Sequence, residues 1–388
     1  MTSKSFATVP IGALIFVLAA FALPPQPAIR QIAPLWKFTG PRDITSFRPA
    51  SNGNCAAASA AERVIVLDSK GKVLWQTISD PISSIVALSP QCDWIAITST
   101  MNGVITQSDQ LEMIGKDRRR LSIPIDSAAI KQPPTRISAL DISPDGALLI
   151  VGLAIRPEIL IVKRSGEIIR RITLPDFIPQ IDLKFAGDGK QILITGWGVG
   201  GLLTVDGNWV FRTDTRNFAA SRNLDLLATF SGAMHGAQNN ELRVLDRSGK
   251  LLWRQSGWNG QMAVAHNGQF VVMSAYAESP NQPTAPPFPV VPNLMESPGL
   301  SIRDRSGRTL IQRAAFEGFY GISEDSSCIL TLWGTLGEPR LQGLDLQLKP
   351  NWQIATTPDS QFYRAGQYHW RTSLNTISAY PAQSCTRR

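Results

Sequence analysis

The sequence predicts an all-β protein built from repeated four-stranded units, and two recurring patterns support this prediction. In the first pattern, two apolar stretches flank a polar turn that contains a glycine, and Gly166, Gly207 and Gly249 follow one another at a spacing of roughly 42 residues. The second pattern is a pair of apolar stretches around a tight Asp/Gly-type turn, as in 142–150, and its copies alternate with those of the first. Each unit therefore holds four strands, named a to d here, which is the make-up of a β-propeller blade.

The number of blades follows from the a–b turns. Seven are recognisable, near Gly53, Cys92, Gly146, Gly189, Asn223, Gly268 and Asp325. Three more strand-like stretches follow, at 362–365, 368–372 and 376–380, and the segment 34–38 resembles strand d of the first blade (73–75). Pairing this N-terminal segment with the last three strands closes the ring and removes the free sheet edges. We therefore predict eight blades, with seven as the alternative.

Residues 1–28 are predicted to lie outside the propeller. The run Ile11–Leu23 is apolar and ends near Ala20-Phe21-Ala22, which resembles a signal-peptidase site. It is short of the about 20 apolar residues that span a bilayer. We expect a signal peptide or a short N-terminal anchor, an exported protein in the periplasm or another extracytoplasmic space, and one propeller domain over 29–388.

The four cysteines are expected to form disulfides, because an exported chain meets an oxidising compartment. In a propeller the a–b and c–d turns share one face, which we call the turn face, and Cys55, Cys92, Cys328 and Cys385 all map to it. Pairing Cys55 with Cys92 and Cys328 with Cys385 would link neighbouring blades on either side of the ring closure. Pairing Cys55 with Cys385 is the competing arrangement, and the sequence does not choose between them.

The chain carries 38 basic and 30 acidic residues, a net charge of +8. Export and the lack of interleaved aromatic and basic residues argue against nucleic acid as a partner. Many basic residues map to c–d turns, so we expect a basic turn face, held toward an anionic membrane if residues 24–33 act as an extended tether of about 30 Å. The residues assigned to this face are Lys70, Lys72, Lys116, Arg118, Arg119, Arg120, Arg247, Lys250, Arg305 and Arg308.

A proline-rich insertion at 276–299 interrupts the b–c connection of the sixth blade. Such a stretch is stiff and poor in internal hydrogen bonds, and long connections in compact folds are often functional. We expect a partner-docking arm or a lid over the axial opening, against the alternative of a tolerated surface loop. The residues expected to bind a partner are Tyr276, Pro286, Pro287, Phe288, Pro289, Val290 and Leu294.

The stretch 196–201 satisfies the spacing Gly-x-Gly-x-x-Gly of a dinucleotide-binding loop. That loop requires a helix after it, whereas an apolar, strand-like stretch follows here, so we predict a glycine-rich b–c hairpin. The chain has 3 His and neither a Cys-x-x-Cys nor a His-Glu-x-x-His motif, so a dedicated zinc site is not expected. We assign no catalytic, cofactor-binding or metal-binding residues.

The turn motif at 67–75 and 245–253, Leu-Asp-x-x-Gly-Lys-x-Leu-Trp, resembles the repeat of the pyrroloquinoline-quinone family of eight-bladed propellers. The Ser-Pro-Asp-Gly turn at 143–146 is also similar to TolB-like and WD-type propellers. The resemblance implies that the tryptophans at this point of strand d, Trp36, Trp75 and Trp253, pack over the neighbouring blade. That family includes quinoprotein dehydrogenases, whose adjacent cysteine pair this chain lacks, and non-catalytic members of the BamB type.

Together these observations favour an exported, non-enzymatic propeller that acts as a scaffold for protein partners through its proline-rich arm. The alternative is a small-ligand-binding protein or quinoprotein-like enzyme that uses the axial funnel. No cofactor is expected under the first hypothesis.

Overall fold

The structure, a computed structural model, consists of β-strands joined by turns and describes most of the chain from residue 29 to residue 385. Within that range it does not describe residues 41, 61, 79–82, 100–109, 126–135, 155–157, 175–180, 197–198, 214–216, 232–240, 259, 276–298, 315–318, 334–339, 357–360, 366–367 and 374. Over the described residues it contains no helix that is long and apolar enough to cross a membrane.

The strands form eight sheets of four antiparallel strands, which confirms the eight-bladed propeller. In blades 1 to 4, strands a to d are β3 (Ile44–Pro49), β4 (Cys55–Ala60), β5 (Arg63–Asp68) and β6 (Val73–Ile78); β7 (Ser83–Leu88), β8 (Trp94–Ser99), β9 (Gln110–Gly115) and β10 (Arg120–Ile123); β11 (Arg136–Ile142), β12 (Leu148–Ala154), β13 (Glu158–Lys163) and β14 (Ile168–Thr173); and β15 (Ile181–Phe185), β16 (Gln191–Gly196), β17 (Val199–Thr204) and β18 (Trp209–Thr213).

Blades 5 to 7 repeat this order, and blade 8 takes its strand d from the N-terminal part of the chain. The strands are β19 (Asn217–Ala220), β20 (Leu226–Ser231), β21 (Glu241–Asp246) and β22 (Leu251–Ser256); β23 (Gly260–Val264), β24 (Phe270–Ala275), β25 (Gly299–Asp304) and β26 (Thr309–Ala314); β27 (Phe319–Ile322), β28 (Ile329–Trp333), β29 (Arg340–Leu344) and β30 (Pro350–Ala355); and β31 (Gln361–Ala365), β32 (Tyr368–Ser373), β33 (Thr376–Pro381) and β2 (Trp36–Thr39). The glycine-rich stretch 196–201 joins β16 to β17 as a b–c hairpin, as predicted.

The ring closes where β2 pairs with β33, Trp36 opposite Ala379 and Thr39 opposite Thr376. One further strand, β1 (Arg30–Gln31), lies parallel to β30 on the outer edge of blade 7, with Arg30 opposite Trp352. The free tether predicted for residues 24–33 is therefore wrong over its last part, because residues 30–32 are hydrogen-bonded to this edge.

Apolar side chains from the faces of neighbouring blades form the cores. Between blades 3 and 4, for example, Ile150 and Ile161 pack with Ile181, Ile192 and Leu203 in one buried cluster. At several junctions, strand a of one blade contacts strand a of the next blade. The a strands therefore surround the central axis, and the d strands lie at the outer rim.

The junctions share a second contact, in which a large side chain of strand d covers the c–d turn glycine of the next blade. Trp36 covers Gly71 and Trp253 covers Gly307, as the family resemblance implies. A Cβ atom on Gly307 would lie 2.8 Å from Cγ of Trp253, and the φ angle of this glycine is +87°. Any larger residue there would meet both a clash and an unfavourable backbone conformation.

Candidate functional site

The turn face is the part of the surface that the structure describes most completely, and its a–b turns are joined in sequence around the axis. Each bond runs from a turn of one blade to a turn of the next. The bonds are Asn52 Nδ2 to the Pro90 carbonyl (2.8 Å), Gln91 Nε2 to the Asp145 carbonyl (3.2 Å), the Gly187 amide to the Arg222 carbonyl (3.2 Å), the Arg222 amide to the His266 carbonyl (3.1 Å) and the Asn267 amide to Ser326 Oγ (3.2 Å).

Within several of these turns a buried serine and an aspartate fix the loop. Ser143 Oγ donates to Asp145 Oδ1 at 2.5 Å and accepts the amide hydrogen of Leu148 at 2.9 Å. The hydrogen bond from Ser143 lowers the pKa of Asp145. Ser323 and Asp325 repeat the arrangement in blade 7. These acidic groups thus hold the backbone of their own turns.

Three c–d turns with the sequence Arg-Ser-Gly clamp the preceding blade. Arg164 reaches Asp93 of blade 2 at 2.7 Å, and Arg247 reaches Asp188 of blade 4 at 2.8 Å. Arg305 donates to the carbonyl of Asp225 in blade 5 at 2.9 Å. The sequence placed Arg247 and Arg305 on the turn face, but the role of these arginines as links between blades was not recognised, although the repeated tripeptide is a signal for it.

The remaining basic residues assigned to this face differ in the contacts that they make. Arg119 pairs with Asp117 at 3.2 Å and Arg308 with Asp304 at 3.0 Å within their own turns. Arg120 begins β10 and does not lie in the turn; its guanidinium bonds to Glu112 and to blade 1. The exposed residues that form no ion pair over the described residues are Lys70, Lys72, Lys116, Arg118 and Lys250.

The positive charge of the c–d turns is partly offset by acidic residues in the same turns. Asp246 is typical: its Oδ1 accepts the amide hydrogens of Ser248 and Lys250, and the side-chain hydrogen bond from Ser248 lowers its pKa. The turn aspartates and glutamate are Asp68, Asp117, Glu167, Asp206, Asp246, Asp304 and Asp345. The d strands are different, because none of the eight contains Asp or Glu. Their basic residues are Lys37, Arg120, Arg170, Arg171, Arg212, Arg254 and Arg313.

Both disulfides lie on the turn face. Cys55 of β4 is bonded to Cys92 in the a–b turn of blade 2, and Cys328 of blade 7 is bonded to Cys385 beyond β33. These are the two pairs that link neighbouring blades, and the competing pair of Cys55 with Cys385 is wrong. Cys92 is half-buried, whereas the other three cysteines are buried.

Near the axis, an aspartate of one a strand bonds to the backbone of the next a strand. The Oδ2 atom of Asp141 in β11 accepts the amide hydrogen of Phe185 in β15 at 2.8 Å. Burial raises the pKa of Asp141 to about 6, and this amide and the charge of Lys184 oppose the shift. Asp182 and Lys184 of β15 are exposed. Alternating apolar and charged residues in 181–185 are the sequence signal for this feature, which had not been interpreted.

The other residues singled out from the sequence divide by location. The proposed arm, with Tyr276, Pro286, Pro287, Phe288, Pro289, Val290 and Leu294, lies outside the described residues. His266 lies in an a–b turn, with Nδ1 3.9 Å from Glu324. Over the described residues no group of three His, Cys, Asp or Glu side chains is placed to hold a metal ion.

Comparisons with known proteins show the fold and not the family. No family model matches the sequence, and a search of curated proteins finds no match. Among solved structures, the dihydro-heme d1 dehydrogenase NirN in complex with DHE matches with a TM-score of 0.58 at 14% identity, over 84% of this chain and 69% of that chain. BamB from Moraxella catarrhalis matches with a TM-score of 0.57 at 12% identity, over 90% of this chain and 99% of that chain. A eukaryotic initiation factor matches with a TM-score of 0.57 at 10% identity, over 90% of this chain and 88% of that chain. The chain thus shares its propeller fold with these proteins.

Proposed function

We propose that this protein is an exported, non-enzymatic propeller that holds protein partners together in the cell envelope. The observation that carries the proposal is the pair of disulfides on either side of the ring closure, Cys55–Cys92 and Cys328–Cys385. Disulfides form and persist outside the reducing cytosol, and the apolar run Ile11–Leu23 is the kind of segment that directs export.

The bonding of the turn face supports the scaffold role. Several of its carboxylates and arginines link blades, as in the pairs Arg164–Asp93 and Arg247–Asp188. Such a ring is a rigid platform on which the connections of the opposite face, where the b–c and d–a segments lie, can be varied to bind partners.

The proline-rich arm at 276–299 is the segment we propose for partner binding. Deleting residues 278–297 should leave the melting temperature within a few degrees of the wild type and remove the partner captured from an envelope extract. A matched deletion of residues 233–239, in the b–c connection of blade 5, should leave capture intact. Equal capture by the wild type and the arm deletion would refute the arm's role.

Export has its own test. The protein isolated without reductant from its native envelope fraction should contain no free thiol, whereas four free thiols and recovery in the cytosolic fraction would refute the proposed location. This result does not depend on whether the arm binds a partner.

The second candidate function is ligand binding in the axial funnel, and the group Asp141, Asp182 and Lys184 near the axis is the observation that favours it. One protein of the same fold, NirN, is described as a dehydrogenase in complex with DHE. The test is to add pyrroloquinoline quinone with Ca²⁺, or a heme, to the purified protein. A rise in melting temperature together with a ligand absorbance band would favour this candidate over the scaffold.

A further inference from the structure

The second residue of strand d forms a ring of aliphatic side chains around the rim of the turn face. Leu35, directly before β2, is 57% exposed, Leu74 is 46% exposed and Leu310 is 53% exposed. The same position is aliphatic in seven of the eight blades. Its residues in blades 1 to 6 and in blade 8 are Leu74, Leu121, Ile169, Val210, Leu252, Leu310 and Leu35.

A β-bulge directs this position outward. In five of these blades the register between strands c and d shifts just after the turn. In blade 1, for example, Val73 lies opposite Leu67 and Trp75 opposite Val66, and Leu74 between them is unpaired. A bulge re-aims the extra side chain away from the sheet. The aliphatic residue is exposed in blades 1, 2, 3, 6 and 8, whereas Val210 and Leu252 of blades 4 and 5 are half-buried and pack against the blade cores.

Blade 7 is the exception, and it is the blade whose rim is already covered. Its residue at this position is the polar Asn351, which donates to the Cys385 carbonyl at 3.3 Å. Here β1 lies along the outer edge of β30. The aliphatic side chain is thus replaced where the chain itself covers the rim.

Basic side chains accompany the ring. The residue two positions before the aliphatic one is basic in four of these blades, at Lys72, Arg119, Lys250 and Arg308. No acidic residue occurs in any d strand. Paired basic and apolar side chains at one level are suited to a surface with negative charge outside and hydrocarbon beneath it.

The direction of β1 places the apolar N-terminal segment on the same side. The d strands start at the turn face, and β1 is parallel to β30, so the chain enters β1 from the turn face. The preceding residues include Ile29, which is exposed, and further back in the sequence the run Ile11–Leu23. A signal anchor that entered a bilayer would hold this face toward it.

We propose that the turn face docks on an anionic lipid surface, with the ring of second-position aliphatic residues in the interface and the neighbouring Lys and Arg side chains on the lipid phosphates. Four of the five exposed positions lie on the consecutive blades 8, 1, 2 and 3, which fits a flat partner that contacts several blades at once. The inference rests on the proposed location in the cell envelope. It adds that the body of the protein, and not only its leader, recognises the membrane.

The test uses residues 29–388, because every described strand and both disulfides lie within them. Vesicle flotation measures whether this leaderless protein binds lipid. One set of vesicles contains phosphatidylcholine alone, and the other contains phosphatidylcholine with about 30% phosphatidylglycerol, an anionic lipid. We expect binding to the anionic vesicles that weakens with salt, because salt screens exposed charges. The combined variant Leu35→Ser, Leu74→Ser and Leu310→Ser should lower the partition coefficient at least about tenfold.

The matched control is Ile78→Ser. Ile78 is 70% exposed and lies in the same strand as Leu74, but at the end away from the turn face, so this variant should bind as the wild type does. A second variant, Lys72→Ser with Lys250→Ser, removes two exposed turn charges and should reduce binding to anionic vesicles even if the apolar variant does not fold.

Three results would overturn the proposal: no binding to anionic vesicles, equal loss in the Ile78 control, or self-association in solution that the apolar variant abolishes. The last result would assign the ring to contact with a second copy. Because these measurements use purified protein and lipid, they are independent of whether the arm binds a partner or the envelope fraction contains the protein.

Discussion

The seam at which the ring closes and the junctions in the middle of the ring are held by different chemistry. Between blades 3 and 6 the chain passes directly from one blade to the next, and Arg-Ser-Gly clamps and covered glycines repeat, as with Arg247 and Trp253. At the seam, strands from the two ends of the chain meet in blade 8, and Cys328–Cys385 links the chain beyond β33 to blade 7, while Cys55–Cys92 joins blades 1 and 2 on the other side.

The difference follows from chain connectivity. A junction between consecutive blades is closed by a short connection, so weak contacts are enough to keep the blades together. The pairing of β2 with β33 joins residues more than three hundred positions apart in the sequence, and closing so long a loop has a large entropic cost. A disulfide that holds β33 in place lowers the chance that the seam opens.

The largest predicted effect is the loss of Cys328–Cys385. A loop of 57 residues contributes about 4 kcal/mol in the chain-entropy model, and the 37-residue loop of Cys55–Cys92 contributes nearly as much. We expect Cys328→Ala with Cys385→Ala to cost about 4 kcal/mol and the Cys55–Cys92 counterpart slightly less, because its loop is shorter. Urea denaturation of the two double variants measures both values.

A clearly larger loss for the Cys55–Cys92 variant would contradict the order that the loop lengths predict. Reduction under native conditions gives an independent check. Cys92 is half-buried whereas Cys328 and Cys385 are buried, so dithiothreitol should open Cys55–Cys92 first. The wild type without reductant is the control, and thiol-specific labelling followed by mass spectrometry identifies which pair reacts.

The repeat could be predicted from the sequence alone, and the structure confirms its period, the number of blades and the strand that closes the ring. These features repeat a local pattern of turns and apolar stretches, and local patterns are visible in one sequence. The turn glycines at Gly71, Gly249 and Gly307 adopt the positive φ angles that their turns require. Placing the four cysteines on one face narrowed the possible disulfide pairings to two arrangements.

Features that join different blades were harder to predict. The clamp between Arg247 and Asp188 links residues 59 positions apart, and its geometry depends on how two blades pack. The parallel strand β1 has two residues and no sequence pattern of its own. The exposed ring at Leu74 and Leu310 was visible as apolar residues at strand starts, but only the bulge shows that they point to solvent.

A smaller effect separates two tryptophans with the same place in their blades, one at the seam and one in the middle. Nε1 of Trp36 donates to the Ser69 carbonyl at 2.7 Å, whereas Nε1 of Trp253 has no hydrogen-bond partner over the described residues. We expect Trp36→Phe to cost about 1–2 kcal/mol more than Trp253→Phe, because it leaves a turn carbonyl unpaired. Thermal and urea unfolding of the two single variants measure the difference, and a larger loss for Trp253→Phe would contradict it.

The smallest effect tests the clamps of the middle junctions. Arg247 bonds to Asp188 at 2.8 Å and to Gln191 Oε1 at 2.9 Å, but both charged side chains are about 40% exposed, so screening limits the contribution to roughly 0.5–1 kcal/mol. Burial acts to raise the pKa of Asp188, and the amide of Lys190 and the guanidinium of Arg247 outweigh it, so the pKa is lowered in the folded protein. The stabilisation is therefore present at neutral pH and is lost as the pH falls from the ordinary aspartate value of 3.8 through the lower value in the folded state.

Arg247→Ala should thus destabilise the protein at pH 7 and have a smaller effect near pH 3. Arg308→Ala is the control, since Arg308 pairs within its own turn and does not reach another blade. Both variants are compared with the wild type by urea denaturation at the two pH values. If the two arginines cost the same at pH 7, the repeated tripeptide stabilises single turns and not the contact between blades, and the middle of the ring is then held together by its apolar cores and by the hydrogen bonds between a–b turns.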